Sequence, residues 1–556
     1  MQFSLDSKVR DIYNHPLGRD LIDKLLFQLG RSDWPLSKVE KLRLKSLKRL
    51  AERSVSPTFV NTVLDLLNSE PDTPSNEDAQ RIHTWWKEAI FYQVHARSFT
   101  FEGIKGIYNK LDYLRELGVN AVRLCPVYDS PDDGNGNVTG SGIRDYLTIM
   151  QDYGTMRDMS ALIAGLHKHG IKIIMDIAVN HTSNEHPWFV DALHNANSPY
   201  RDFYFFRKGR GNNPPNNWTM ACGSPAWSYY PHQDIWALHL SSNTQMDLNW
   251  DSPALRYEIH KIIRWWLYKG VDGFRLDGIN YISKFDNLPD GDELIGELMN
   301  RVGIERYYYG PRLHEYLLEL RHNVLMPYNA IIIGETPGVG PMASRLLTDA
   351  YREELDMTFD YNHLEAPGMT RFDETYDLMY LRDFYIKHLN VDSGHGWNPL
   401  FFNNHDYPRM LSKVDQSGEY AEPLAKMLAV LQLTLRGTPF IYQGDEIGAR
   451  NGDFKWDEVT RQQEVYESVW RFYQKLIAWR KKTPTCVYGA LEFLDAEDDR
   501  IFCYCRTHED MNIFVEVNLT AEIAQSFNPE GAVFVMGNYR HLVSDMQAYE
   551  ARIYVY

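Results

Sequence analysis

Residues 271–284 read VDGFRLDGINYISK, and this stretch is informative about both the fold and the chemistry of the chain. An apolar strand is expected to end here. Arg275 and Asp277 lie two residues apart on it, so their side chains point to the same face. The pair could be a buried ion pair that closes a strand end. It could also be a catalytic carboxylate that an adjacent guanidinium keeps ionised. Which interpretation holds depends on whether catalytic partners occur elsewhere in the chain.

Seven other apolar runs accompany the one that ends at Asp277, and amphipathic segments separate them. One of these segments, residues 252–267, has a helix cap at Ser252, a proline in its first turn and a terminating Gly270. Eight strands that alternate with helices predict an α/β fold with a closed (β/α)₈ TIM barrel. The runs are AIFYQVHARSF, VNAVRLCPVY, IKIIMDIAVNH, VDGFRLDGIN, NAIIIGETP, DMTFDYNHL, NPLFFNNHD and GTPFIYQGDEIG.

The barrel pattern does not fill the chain. Residues 1–80 carry helix-period leucines and end in a polar segment, so they predict a separate N-terminal helical module. Residues 81–484 hold the predicted barrel, interrupted after the third strand by an Asn-, Pro- and aromatic-rich inserted loop domain at about 183–248. Short runs such as NIFVEVNL and EARIYVY predict a C-terminal antiparallel β-domain, a β-sandwich, over 485–556.

Composition excludes several classes of protein. The formal charge of −17 over 556 residues argues against nucleic acid or an anionic membrane as the main partner. No apolar run has the length of a membrane span, and the first twenty residues lack the apolar core of a signal peptide. Five scattered cysteines match no zinc pattern. We therefore expect a cytoplasmic protein with reduced thiols, no membrane insertion and no cofactor.

Polar residues cluster where the predicted strands end. In barrel enzymes this end of the strands carries the chemistry. One such carboxylate alone would be an ordinary salt bridge, but three converging with histidines and an arginine suggest cleavage of a glycosidic bond. That reaction needs one ionised and one protonated carboxyl group across the bond. The residues are Asp176, Asn180, His181, Arg275, Asp277, Glu335, His405 and Asp406.

Five ordered motifs give these residues a family context. DIAVNH, GFRLDGIN, GETPG and FFNNHD resemble the four signature regions of the α-amylase family, glycoside hydrolase family thirteen. QMDLN at 245–249 resembles the fifth region in its oligo-1,6-glucosidase and α-glucosidase branch. The resemblance covers about residues 84 to 556 and leaves the N-terminal helices unexplained. It implies a TIM-barrel enzyme that acts on α-linked oligosaccharides.

The resemblance also implies a role for each residue of the site. Asp277 would be the nucleophile, with Arg275 keeping it ionised, and Glu335 would be the general acid and then the base. Asp406 would stabilise the transition state. The expected sugar-binding and supporting residues are Asp176, His181, Arg275, His405 and Arg409, with Asp176 more structural than in contact with sugar.

The chain departs from the family pattern in places that bear on specificity. Relatives have Tyr and Asp where this chain has Ser141 and Gly142, so the hold on a terminal glucose should be weaker. Arg144 nearby could contact an anionic group or form a surface salt bridge. Gly278 after the nucleophile opens space without choosing a linkage. One acid, Glu102, stands in the segment that relatives use for a metal, so no metal is expected.

Other functions stay open at this point. A transglycosylase, an isomerase or a phosphorylase would share the first half-reaction and differ in what attacks the intermediate. A non-catalytic barrel scaffold, like the heavy-chain subunits of amino-acid transporters, belongs to a different class, but such scaffolds have lost the carboxylates that this chain keeps. Linkage preference, the role of the N-terminal helices and the oligomeric state do not follow from the sequence.

Overall fold

The computed structural model describes residues 2–28, 39–46, 59–69, 84–131, 142–365, 373–391, 396–452, 454–509, 511–527 and 529–556. The chain forms two compact units. The first comprises Met1–Gln80, Pro126–Met156 and Met175–Asp360, and the second comprises Arg81–Cys125, Arg157–Ile174 and Tyr361–Tyr556.

Within the described residues, eight parallel strands form one sheet in the order β6-β5-β4-β3-β2-β1-β8-β7. This is the predicted TIM barrel, and all eight apolar runs contribute a strand to it. Nearly every strand residue is buried, which explains why these runs lack the polar alternation of a half-exposed sheet. The strands are β1 Phe91–Val94, β2 Ala121–Leu124, β3 Lys172–Ala178, β4 Gly273–Asp277, β5 Ile331–Glu335, β6 Met357–Phe359, β7 Pro399–Leu400 and β8 Thr438–Tyr442.

Helices of the first unit follow the sequence signals. The predicted helix before β4 spans Pro253–Tyr268, and the Ser252 hydroxyl accepts the N–H of Leu255. Its apolar stripe is buried, as its 3.6-residue period requires. The helices are Val9–Tyr13, α1 Pro16–Gln28, α2 Phe59–Ser69, Pro187–His194, Pro253–Tyr268, Glu293–Met299, Leu313–Leu320 and α3 Pro341–Thr348.

The segment inserted after β3 has its own small sheets. Strand His181–Ser183 pairs antiparallel with Gln245–Asp247, so the two ends of the insertion are joined. Between them, Ile235–Leu238 pairs with Phe206–Arg207 on one side and with Trp227–Tyr230 on the other. The insertion therefore starts and finishes next to the carboxyl end of β3.

The N-terminal residues that the structure describes are helical, as expected. Half of residues 38–53, a stretch rich in Lys and Arg, lies outside the described residues. Helices α1 and α2 both belong to the first unit, and α1 contacts α3 of the same unit. No helix in the described part of the chain has the length and apolarity that crossing a membrane requires.

The second unit holds β1, β2, β7 and β8 and ends in an antiparallel sheet. Strands Ala490–Leu494, Ile501–His508, Met511–Asn518, Ala551–Val555 and Val533–Gly537 follow one another in this sheet among the described residues. The helices of this unit are Trp85–Glu88, Ala96–Phe99, Ile104–Asn109, Leu111–Leu117, Met156–Lys168, Leu378–Val391, Met410–Val414, Ala421–Thr434, Trp456–Glu464, Val469–Lys482 and Thr485–Tyr488.

Candidate active site

Two carboxylates of the first unit share one guanidinium. Arg275 Nη1 donates to Asp277 Oδ1 at 2.7 Å, and Nη2 lies 2.7 Å from Glu335 Oε1. Asp176 Oδ2 lies 3.7 Å from Nη1. The side chains of Asp277 and Glu335 are 26% and 13% exposed, whereas those of Arg275 and Asp176 are 4% and 1% exposed. The buried arginine thus presents two carboxylates that solvent can reach.

Strand register explains why these carboxylates meet. In the parallel pair β4–β5, Arg275 lies opposite Ile333 and Leu276 lies opposite Gly334. The residues that follow, Asp277 and Glu335, therefore end their strands side by side. Paired parallel strands keep this spacing without help from loops.

Gly278 adds a backbone donor to the pair. Its φ of +54° is in the left-handed region, which glycine adopts without steric cost. The chain therefore turns directly after Asp277, and the Gly278 N–H donates to Glu335 Oε2 at 3.0 Å. Both oxygens of Glu335 thus accept a hydrogen bond from residues adjoining the nucleophile candidate.

A second buried cation of the same stretch has different surroundings. Lys284 Nζ lies 3.0 Å from Asp247 Oδ1, donates to Asn180 Oδ1 at 3.3 Å and donates to the Tyr281 carbonyl at 2.9 Å. The Lys284 and Asp247 side chains are 1% and 0% exposed. Asp247 also accepts the Leu240 N–H and the Asn180 amide. This cluster joins the end of β3, the inserted segment and the chain after β4.

His181, expected to bind sugar, lies at the same junction. It follows β3, is 3% exposed, and is paired in backbone register with Asp247. Arg144 forms the surface salt bridge that was one of its two expected roles. It contacts both oxygens of Asp129 at 2.7 and 2.9 Å and Glu185 at 3.0 Å. Ser141 lies outside the described residues.

The second unit carries His405 and Asp406 at the end of β7. Gln93 Nε2 lies 3.2 Å from His405 Nδ1, and Arg123 donates to Gln93 Oε1 at 3.0 Å. An arginine can only donate, so the Gln93 oxygen faces it and the NH₂ faces His405. His405 Nδ1 is then the acceptor, and the ring proton is on Nε2. That nitrogen lies 3.7 Å from Asp406 Oδ2.

The Asp406 side chain is more exposed than that of His405. Its side chain is 40% exposed, and its backbone N–H donates to Asn404 Oδ1 at 2.8 Å. The His95 ring lies 6.1 Å from the ring of His405. Burial lowers the pKa of His95 to about 4, and the charge of Arg97 acts in the same direction. His95 is therefore neutral at pH 7.

Arg409 is held by the scaffold of the second unit. Nη1 lies 3.1 Å from Asp445 Oδ1, and Nη2 donates to the Gln443 carbonyl at 2.6 Å. Its guanidinium also lies over the Tyr442 ring, 4.7 Å from the centroid. These contacts bury Arg409 at 6% exposure and fix the start of the helix that follows Asp406.

The sequence analysis did not identify Lys284 or the residues around His405 as parts of the site. Gln93 and Arg123 carried a signal, because a polar residue inside an otherwise apolar barrel strand must find a buried partner. Lys284 carried one as well, since it closes the apolar run INYIS. Neither signal identifies the partner. Cys125, whose Sγ lies 4.0 Å from His405 Nδ1, gave no signal.

Comparison with known proteins agrees with this fold. Residues 90–468 match the family model described as the α-amylase catalytic domain. An oligo-1,6-glucosidase of Parageobacillus thermoglucosidasius is 37% identical over 513 residues, 78% of this chain and 90% of the relative. An oligo-1,6-glucosidase of Halalkalibacterium halodurans is 35% identical over 558 residues, 85% of this chain and 99% of the relative.

The solved structures include a close match in fold. The trehalose-6-phosphate hydrolase of Bacillus licheniformis superposes with a TM-score of 0.78 at 30% identity, covering 85% of this chain and all of that one. The barrel with carboxylates at its strand ends defines the class of protein, and the matched domain defines the family within it. The chain belongs to the α-amylase family.

Proposed function

We propose that the protein is a retaining α-glucosidase that hydrolyses α-glucosidic bonds of oligosaccharides by double displacement. The observation that carries the proposal is the pair Asp277 and Glu335, side by side at the ends of β4 and β5 on one guanidinium. A carboxylate nucleophile and a carboxylic acid close together are what retention requires. The oligo-1,6-glucosidase names of the relatives support the substrate class.

In the first half-reaction, Asp277 attacks the anomeric carbon and forms a glycosyl ester. Arg275 stabilises the ionised carboxylate through its 2.7 Å hydrogen bond. Glu335 donates its proton to the leaving oxygen, so the sugar leaves as a neutral alcohol. One bond forms, one breaks, and the configuration at the anomeric carbon inverts.

The contacts of Glu335 favour its second role. Both oxygens accept hydrogen bonds, from Arg275 and from the Gly278 N–H. This arrangement suits a carboxylate, the form that accepts a proton from water and drives hydrolysis of the ester. For Glu335 to donate a proton first, one of these contacts must lengthen to free an oxygen. Arg275 therefore contacts both carboxyl groups.

The remaining roles follow from the resemblance to the family. Asp406 is proposed to accept hydrogen bonds from sugar hydroxyls and to stabilise positive charge at the transition state. His405, with its proton on Nε2, is proposed to donate a hydrogen bond to the same sugar. His181 is proposed to bind the sugar together with His405. Asp176 and Arg409 are proposed as supporting residues, since Asp176 lies against Arg275 and Arg409 against Asp445.

Water is the proposed acceptor of the glycosyl group. The hydrolase names of the relatives favour it over the transfer, isomerisation and phosphorolysis that share the first half-reaction. The retained, solvent-reachable carboxylates favour an enzyme over a non-catalytic scaffold. All five cysteines are free thiols, which supports the proposed cytoplasmic location. An α-linked oligosaccharide is the proposed partner.

A product assay tests this function. Isomaltose, maltose and longer glucans are incubated with the enzyme, with and without phosphate, and early products are followed by proton NMR. We expect α-glucose as the first product, with no dependence on phosphate. Release of β-glucose, formation of a glucose phosphate, or no cleavage of any α-glucoside by folded protein would contradict the proposal.

A further inference from the structure

The loop that follows Glu335 is held by residues from distant parts of the first unit. Residues 336–340 connect β5 to α3, so their position affects the orientation of the Glu335 side chain. Tyr308 donates its hydroxyl hydrogen to the Gly338 carbonyl at 2.7 Å. The Asn280 amide donates to the Pro337 carbonyl at 3.4 Å. The loop thus has fixed contacts on its way to α3.

Its far end is fixed by the N-terminal helices. Asp20, on α1, accepts the Met342 N–H at 3.2 Å through Oδ1 and the Ala343 N–H at 2.7 Å through Oδ2. These are backbone donors in the first turn of α3, which an N-cap side chain usually satisfies. The residue at the N-cap is Gly340, which has no side chain for this. Asp20 therefore caps α3 from another part of the chain.

The fit between Asp20 and this turn is close. A Cβ added at Gly340 would lie 2.4 Å from Asp20 Cγ, so glycine is what lets the carboxylate reach the turn. Asp20 is only 8% exposed. Its negative charge is also favourable at the positive end of the α3 dipole.

A second contact links the N-terminal helices to the chain that follows Asp277. Phe59, on α2, packs against a buried hydrophobic cluster that includes Tyr281 and Tyr307. Tyr281 comes four residues after Asp277, and Tyr308 packs against the same cluster. The N-terminal helices thus support the chain after both carboxylates. They lie outside the matched family domain, which begins at residue 90.

We infer that Asp20 is a positioning residue for the general acid: by capping α3 it holds the loop that orients Glu335. This inference rests on the proposed role of Glu335. It goes beyond that role because it gives the N-terminal helices a function in catalysis.

The dependence of kcat/KM on the leaving group distinguishes a positioning role of Asp20 from a purely structural one. A sugar leaving group needs the Glu335 proton, whereas fluoride leaves without one. The kcat/KM for α-glucosyl fluoride reports formation of the covalent intermediate without acid catalysis. Loss of folded protein would lower kcat/KM for both substrates equally. A misplaced acid would lower it for the oligosaccharide alone.

The test compares Asp20→Ala and Gly340→Ala with the wild type in the full-length chain. In each variant, kcat/KM for the oligosaccharide should fall on the order of tenfold to a hundredfold, the cost of a small misplacement, while the fluoride value changes little. Gly340→Ala disturbs the same contact without changing the N-terminal helices. Asp20→Asn keeps one acceptor oxygen and should recover part of the loss.

Asp23→Ala is the matched control, because Asp23 lies on the same helix and accepts the Tyr13 hydroxyl instead. It should leave the ratio of the two kcat/KM values unchanged. Equal falls for both substrates, or no fall, in the folded Asp20 and Gly340 variants would overturn the inference. If Asp20→Ala does not fold, Gly340→Ala and Asp20→Asn decide. If Glu335→Gln does not lower kcat/KM for the oligosaccharide more than kcat/KM for the fluoride, the proposed function is wrong instead.

Discussion

Arg275 and Lys284 are both buried cations in the stretch with which the sequence analysis began, and they have opposite surroundings. Two of the carboxylates on Arg275, those of Asp277 and Glu335, are 26% and 13% exposed, so a substrate can reach them. The carboxylate on Lys284 is fully buried, and the three ammonium hydrogens have three acceptors. We propose that the same kind of ion pair is reactive in one place and structural in the other, and that access to the carboxylate makes the difference.

The largest effect should follow loss of the nucleophile. Asp277→Asn should lower kcat by roughly 10⁴-fold or more, because an amide does not form the glycosyl ester. Its melting temperature should stay close to that of the wild type, since Arg275 keeps its contact with Glu335. Steady-state kinetics and thermal unfolding of one preparation measure both. Substantial residual turnover by the pure variant would remove Asp277 from this role.

The Lys284 pair should show the reverse pattern. Lys284→Met leaves Asp247 charged and buried without its cation, which should lower the free energy of unfolding by about 3–5 kcal/mol. Lys261→Met is the control, because Lys261 forms an exposed pair with Glu258 and should matter little. Denaturant titrations measure both variants. Equal stability of the two would mean that the buried pair is not structural.

A smaller effect on turnover should follow from Ser141 and Gly142, which differ from the Tyr and Asp of the family pattern. We expect poor turnover of simple aryl α-glucosides, because the aromatic platform and the charged acceptor of relatives are missing. Ser141→Tyr with Gly142→Asp should improve it. A Cβ at Gly142 would lie 3.7 Å from the Gln245 side chain, an ordinary van der Waals distance. Ordinary α-glucosidase efficiency of the wild type on maltose or isomaltose would refute this expectation.

The smallest effect should come from metal removal. The segment for which the family resemblance suggests a metal site has the single acid Glu102, and the buried Asp247 is paired with Lys284. Treatment with EDTA should leave activity and melting temperature unchanged. A loss of either that calcium restores would show that a metal site exists.

The sequence predicted the barrel and the Arg275–Asp277 contact because both depend on short-range patterns. Eight apolar runs set the strands, and residues two apart on a strand share a face. The contact of Glu335 with Arg275 could be expected only in outline, since it depends on the register of β4 and β5. A shift of this register by one residue would have pointed the Glu335 side chain to the other face of the sheet, away from Arg275.

Long-range contacts could not be predicted. Asp20 and Met342 are 322 residues apart in sequence, and nothing near either one indicates the other. The same holds for the partner of Lys284, which comes from the inserted segment. A polar residue in an apolar run shows that a partner is needed, but only the packed chain shows which one it is.

The central claim is that Asp277 attacks and Glu335 serves as acid and then base, and chemical rescue of Glu335→Gln tests it most directly. With α-glucosyl fluoride the variant should still form the covalent intermediate, and water should attack it slowly because the base is missing. Azide needs no base, so it should raise turnover and give the α-glucosyl azide, with retention through two inversions. A β-glucosyl azide from this variant, or no rescue by azide, would contradict the account.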